Sequence, residues 1–150
     1  MLDTGKSESI ESSVEVCLAP ELTEALGSLA DTIERFAADH SIGGETPFRL
    51  NLVLDELVTN SVNFALPEVA EPLLRVRLAR TADGVVAHLE DNGAAFDPFQ
   101  DAPKPDTSLS LNDRPIGGLG VYFVTQFTDS ASYEREGGVN RITLRIKTET

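Results

Sequence analysis

The sequence predicts an α+β domain: a two-layer α/β sandwich in which a mixed, mainly antiparallel sheet carries its helices on one face. Two pairs of alternating apolar segments read as hairpins, one turning at Asp83-Gly84 and one at Gly137-Gly138. Two segments with helical apolar spacing precede the first hairpin, and a third separates the hairpins. Strand runs of this kind bury one side, and helices gathered over that side complete two layers. At 150 residues the chain is one domain, long enough to bury roughly two-thirds of the surface its unfolded form exposes.

Residues 1–12 are polar, rich in Ser and Glu, and without period; they read as a mobile tail that leaves 13–150 as the domain. Val14, Val16 and Leu18 alternate with Ser13, Glu15 and Cys17, the pattern of a half-buried strand. After Pro20, the spacing of Leu22, Leu26, Leu29, Ile33 and Phe36 predicts a helix that exposes Glu24, Asp31 and Glu34 and ends at Gly43-Gly44. Thr46 then reads as the cap of a second helix with Pro47 in its first turn. Leu50, Val53, Leu54, Leu57 and Phe64 are its expected core face, and Glu56, Asn60 and Asn63 form a polar stripe along the border of that face.

Leu74, Val76 and Leu78 alternate with Arg75 and Arg77, and Val85 to Glu90 returns as the partner strand, ending at Asp91. From Ala94 to Ile116 the chain carries Pro98, Pro103, Pro105 and Pro115, which oppose a continuous helix or strand. A loop that long inside one domain is usually functional or disordered. Leu119 to Phe127 predicts a helix, and Ser130 to Arg135 with Val139 to Lys147 the last two strands.

A hydrophobic fraction of 41% with 25% charged residues is the composition of an ordinary globular domain. The net charge of −13 opposes a general nucleic-acid or anionic-membrane surface, since binding to phosphate arrays needs clustered Lys and Arg. Met1 to Lys6 lacks the basic and apolar order of a signal sequence, and no apolar run approaches the roughly 20 residues that span a bilayer. The expectation is a cytoplasmic protein with no membrane contact. The single Cys17 forms no internal disulfide and reads as a small strand residue, while His40 and His88 lack the companions of a zinc site.

Three signals stand out from this background: Glu56-Leu57-Val58-Thr59-Asn60, Asp91-Asn92-Gly93 and Gly117-Gly118-Leu119-Gly120. Glu56 and Asn60, four residues apart, project from the same side of a helix about one turn apart and are placed to serve one ligand. An acidic residue beside a glycine provides a base-recognition group, and a glycine-rich turn opening a helix provides a phosphate cradle. Their order along the chain points to a nucleotide site.

In these motifs the chain resembles the GHKL ATPase superfamily, and within it the bacterial anti-sigma factor serine/threonine kinases. Glu56 to Asn60 looks like the N box, Asp91 to Gly93 the first glycine box and Gly117 to Gly120 the second. The resemblance implies ATP and Mg²⁺ as cofactors, with Asn60 as an oxygen ligand of the metal and Glu56 as the base toward a serine or threonine hydroxyl. It makes Asp91 the acceptor for the adenine amino group, with Gly93 admitting the base, and Gly117, Gly118, Leu119 and Gly120 the phosphate turn. Residues 94–116 become an ATP lid. Asn63 and Arg114 are further candidates near the phosphates, each with a solvated alternative, and Thr143 is a candidate for a water-mediated adenine contact. The subgroup's common histidine just after the N box is absent here, where Asn63-Phe64-Ala65 stands.

By resemblance, the partners are a sigma factor, which the domain sequesters, and a small anti-sigma factor antagonist, which it phosphorylates in a partner switch. A homodimer is implied as well. Two other classes stay open: a non-catalytic, nucleotide-gated protein-binding module, and a stand-alone ATPase or histidine-kinase fragment.

Overall fold

The computed structural model describes residues 10–101 and 120–148, with side chains from residues 13–101 and 124–148. Five strands form one sheet in the order β1-β2-β3-β5-β4, and every neighbouring pair is antiparallel. They are β1 (Ile10–Cys17), β2 (Leu74–Thr81), β3 (Gly84–Asp91), β4 (Ser130–Glu136) and β5 (Val139–Lys147). Helices α1 (Leu22–Asp39), α2 (Thr46–Asn60) and α4 (Gly120–Phe127) make the second layer, and α3 (Pro98–Asp101) is a single turn. Residues 10–12, expected in the tail, belong to β1; the rest of the tail, residues 1–9, lies outside the described residues.

Strand alternation decides which side chains enter the core. Val76, Leu89 and Ile142 align across β2, β3 and β5, as do Leu78, Ala87 and Leu144, and each is at most 5% exposed. They pack with Leu29, Ile33 and Phe36 of α1, Leu50, Val53, Leu54, Leu57 and Val58 of α2, and Val124 of α4 in one cluster. Helix α2 holds the middle of the helical layer, packed on α1 and α4 and over β3 and β5.

Glu21 caps α1, its carboxylate accepting from the backbone N–H groups of Glu24 (2.9 Å) and Thr23 (3.1 Å), which hold its pKa below the usual value. The C-terminus departs from expectation. Helix α1 stops at Asp39, before Gly43-Gly44, and Ser41 takes the left-handed conformation (φ 55°). Ile42 N–H returns to the Ala37 carbonyl (2.8 Å) and Ser41 N–H to that of Ala38 (3.4 Å), the paired bonds of a Schellman ending, with Ile42 buried behind them. Arg80 of β2 donates to the His40 carbonyl (2.7 Å) at the same end.

Helix α2 also begins one residue off the expected cap. Glu45 holds the cap position without a capping side-chain bond, pairing instead with Arg49 (3.0 Å), while Thr46 is the first helical residue and is buried. The α2 helix continues into a π-helical turn, Ser61–Ala65, closed by Leu66 N–H to Ser61 O (2.9 Å). That wider turn rotates the face that follows it. Phe64, an expected core residue, is consequently 45% exposed.

Candidate functional site

The Glu56 to Asn60 segment is the last part of α2, and the π turn follows it directly. Glu56 is half-buried, and its Oε2 is buried without a hydrogen-bond partner. Burial raises the Glu56 pKa to about 7. Asn60, one turn on, is 3% exposed with an unpartnered Nδ2, so it sits deeper than the helix border expected for it. Unpaired buried polar atoms lower stability and are rare in folded chains, and among the described residues α2 carries four of them, on Arg49, Asp55, Glu56 and Asn60. Asn63 is exposed on the π turn.

The π turn also joins this helix to the Asp91-Asn92-Gly93 corner. Ser61, next to Asn60, donates its hydroxyl to Asp91 Oδ2 (2.9 Å). Ala65 presents its carbonyl to Ala94 N–H (2.8 Å), which draws the chain after Asp91 against the helix end. Gly93 lies in that contact, where a side chain has no room. Asp91 Oδ1 accepts the Gly93 N–H (2.9 Å) and the Asn140 Nδ2 (2.8 Å), so a buried acceptor-only group is aimed by three donors. Asn92 pins the other side of the corner through Leu73 N–H (2.7 Å) and the Glu71 carbonyl (3.0 Å).

Beyond the corner, Phe96 stacks on Phe64 with ring centroids 5.0 Å apart and planes 17° apart, and Asp97 caps the α3 turn through Phe99 N–H (2.9 Å). The remaining lid residues, 102–116, lie outside the described residues, as do Arg114, Gly117, Gly118 and Leu119. Gly120 is the first residue of α4, which packs against α2.

Thr143 is corrected. Asn140 and Ile142 face the helices, so the two-residue period turns Thr143 to the opposite side of β5. There it hydrogen-bonds His88 (3.1 Å), whose pKa is lowered by burial and then by Arg77 and Arg141. Arg75 and Arg141 share that outer face and clamp Glu90 between them. Thr143 thus lies on the face of the sheet opposite the Asp91 corner.

The structure therefore brings together Asp91 and Gly93 with the Glu56–Asn60 helix. It adds three residues that were not among the expected site residues: Ser61, Asn140 and Phe64, the last expected in the core. Ser61 carried a signal, being a hydroxyl placed directly after Asn60, whereas Asn140 had only its place after a glycine turn.

Among the described residues no group of three or more His, Cys, Asp or Glu is arranged to hold a metal, and no helix is long and apolar enough to cross a membrane. Asn60 brings a carboxamide, whose oxygen is a donor type that Mg²⁺ takes beside water and phosphate, while its unpartnered atom is the Nδ2 donor.

Comparison with known proteins agrees with this geometry. Residues 19–146 match the family described as the histidine kinase-like ATPase domain. A curated relative, the serine/threonine-protein kinase BtrW of Bordetella bronchiseptica, is 33% identical over 141 residues, 94% of either chain. Among solved structures, the RsbU and RsbW domains of a Mycobacterium tuberculosis protein superpose with a TM-score of 0.65 at 15% identity, over 93% of this chain and 33% of that one. A blue-light-activated histidine kinase domain from Erythrobacter litoralis superposes with a TM-score of 0.54 at 19% identity, over 85% of this chain and 61% of that one. The chain thus spans about a third and about three-fifths of those two structures, and at such identities they speak for the fold alone.

Proposed function

The chain belongs to the histidine kinase-like ATPase domain family, and from that premise we propose that it is an ATP-dependent serine/threonine protein kinase acting as an anti-sigma regulatory factor in a bacterial partner switch. The observation that carries this reading is Glu56, a half-buried carboxylate with its Oε2 unpartnered and its pKa raised to about 7, one turn from Asn60. A general base works best when its pKa lies near the working pH. A domain that only binds nucleotide has no need of one.

In this reading Asp91 accepts the amino hydrogen of the base, and Gly93 fixes the corner that presents Asp91 by packing on the Ala65 backbone. Mg²⁺ bound with the nucleotide would neutralise phosphate charge, with Asn60 as its protein ligand. Glu56 accepts the proton of the attacking serine or threonine hydroxyl, which orients the oxygen toward the γ-phosphate. By the resemblance, the Gly117 to Gly120 segment would supply backbone amides to the phosphates. The substrate hydroxyl belongs to a small anti-sigma factor antagonist, and the sequestered partner is a sigma factor. A cytoplasmic homodimer is the working unit.

Radiolabelled ATP mixed with the purified protein and the candidate antagonist encoded nearby tests the proposal. Phosphoserine or phosphothreonine on the antagonist supports it. Binding without transfer identifies a nucleotide-gated module instead, and free phosphate alone an ATPase.

A further inference from the structure

Asn140 joins the β4–β5 hairpin to the Asp91 corner. It is 2% exposed. Its Oδ1 accepts the Tyr133 hydroxyl (2.6 Å), Arg135 Nη1 (2.9 Å) and, at the long limit, Phe96 N–H (3.5 Å). Its Nδ2 donates to Asp91 Oδ1 and to the Ala94 carbonyl, both at 2.8 Å. These partners leave one orientation for the amide, because a guanidinium only donates and a carbonyl only accepts. Arg135 Nη1 donates to the Gly93 carbonyl as well (3.0 Å), so a cation stands one side chain away from the Asp91 carboxylate.

We infer that Asn140 is a positioning residue for base selection: it stands between Arg135 and Asp91, and keeps that carboxylate as a neutral-donor acceptor with one open site. A carboxylate offers about four lone-pair positions. On Asp91, Oδ1 takes Gly93 N–H and Asn140 Nδ2, and Oδ2 takes Ser61 Oγ, which among the described residues leaves one position on Oδ2. One open acceptor binds an exocyclic amino group and repels a carbonyl, so the site selects a 6-amino purine over a 6-oxo purine. A direct Arg135–Asp91 pair would be bidentate and would fill both oxygens. Asn140 prevents this by occupying the guanidinium with its own oxygen. The inference rests on the nucleotide reading above and adds a second residue, 49 positions from Asp91, that decides which base is bound.

The test uses ADP and IDP, which differ at the 6-position of the purine, titrated calorimetrically into the whole chain, with thermal melts to confirm folding. Wild type is expected to prefer ADP. Asn140→Ala should lose about tenfold or more in ADP affinity, the scale of a hydrogen bond to a charged group, with little change for IDP. Adding Arg135→Ala should restore much of the ADP affinity, since no cation then remains to capture Asp91. A merely structural role would weaken both nucleotides alike and would gain nothing from the second substitution. If Asn140→Ala fails to fold, Asn140→Ser carries the same expectation with a smaller loss. Wild type that binds no ADP overturns the nucleotide reading together with this inference. Wild type that binds ADP, with an unchanged ADP-to-IDP ratio in the single variant or no recovery in the double one, overturns the inference alone.

Discussion

Gly93 rests against the backbone of Ala65: a β-carbon at residue 93 would fall 2.3 Å from the Ala65 carbonyl oxygen and 2.4 Å from its carbonyl carbon. Both obstacles are backbone, held by the π turn on one side and by the Ala94 hydrogen bond on the other. Gly93→Ala must therefore separate the Asp91 corner from the end of α2. The expected cost is about 2 kcal/mol or more in chemical denaturation, with loss of nucleotide binding in the folded fraction. A variant of wild-type stability would mean that the corner is looser than this contact requires.

Asn60→Ala should divide stability from function. The wild-type side chain is buried with an unpaired Nδ2, so its removal relieves a desolvation penalty while leaving a small void. Stability within about 1 kcal/mol of wild type is expected, alongside loss of Mg²⁺-dependent ATP binding. Calorimetry with and without Mg²⁺ reads the second effect, and unchanged Mg·ATP affinity removes Asn60 from the metal.

The raised Glu56 pKa makes two predictions of opposite sign. As a base, Glu56 acts when ionised, so phosphoryl transfer should rise with pH through about 7 and then level off. Glu56→Gln should remove that rise and slow transfer by roughly 10²-fold or more with near-normal ATP affinity. For stability, the folded state holds the proton more tightly than the unfolded chain, whose value is near 4.5. Stability from this group is then full below about 4.5 and is lost as pH rises through about 7. Glu56→Gln should accordingly be more stable than wild type above pH 7, with the difference closing in acid. Parallel denaturation curves at all pH values would show that burial does not hold the proton.

Ser41 pays a conformational cost in the left-handed region that glycine does not. Ser41→Gly should keep both return bonds of the α1 ending and gain about 0.5–1 kcal/mol, a rise of a few degrees in the melting temperature, with nucleotide affinity unchanged. A melting temperature equal to or below that of wild type would place the strain elsewhere.

The residues legible from sequence are those whose placement depends on near neighbours. The β2–β3 and β4–β5 hairpins follow from alternation around Asp83-Gly84 and Gly137-Gly138, the latter pair at φ 60° and 78° where side chains are disfavoured. Glu56 and Asn60 share a flank because a helix repeats every 3.6 residues, whatever it packs against.

Other features depended on contacts between distant segments. The π turn, and with it the exposure of Phe64 and the bond from Ser61 to Asp91, forms where the end of α2 meets the Gly93 corner, and periodicity in the helix alone continues straight past it. The ending of α1 at Ser41 rather than Gly43-Gly44 is joined by Arg80, from a strand 40 residues away. The register of β5 on β3 places Asn140 opposite Asp91, a pairing across 49 residues that no local pattern announces, whereas the outward face of Thr143, three residues on, follows from strand alternation alone. Local geometry repeats along the chain and can be read from it, while a register is chosen only when two surfaces have packed.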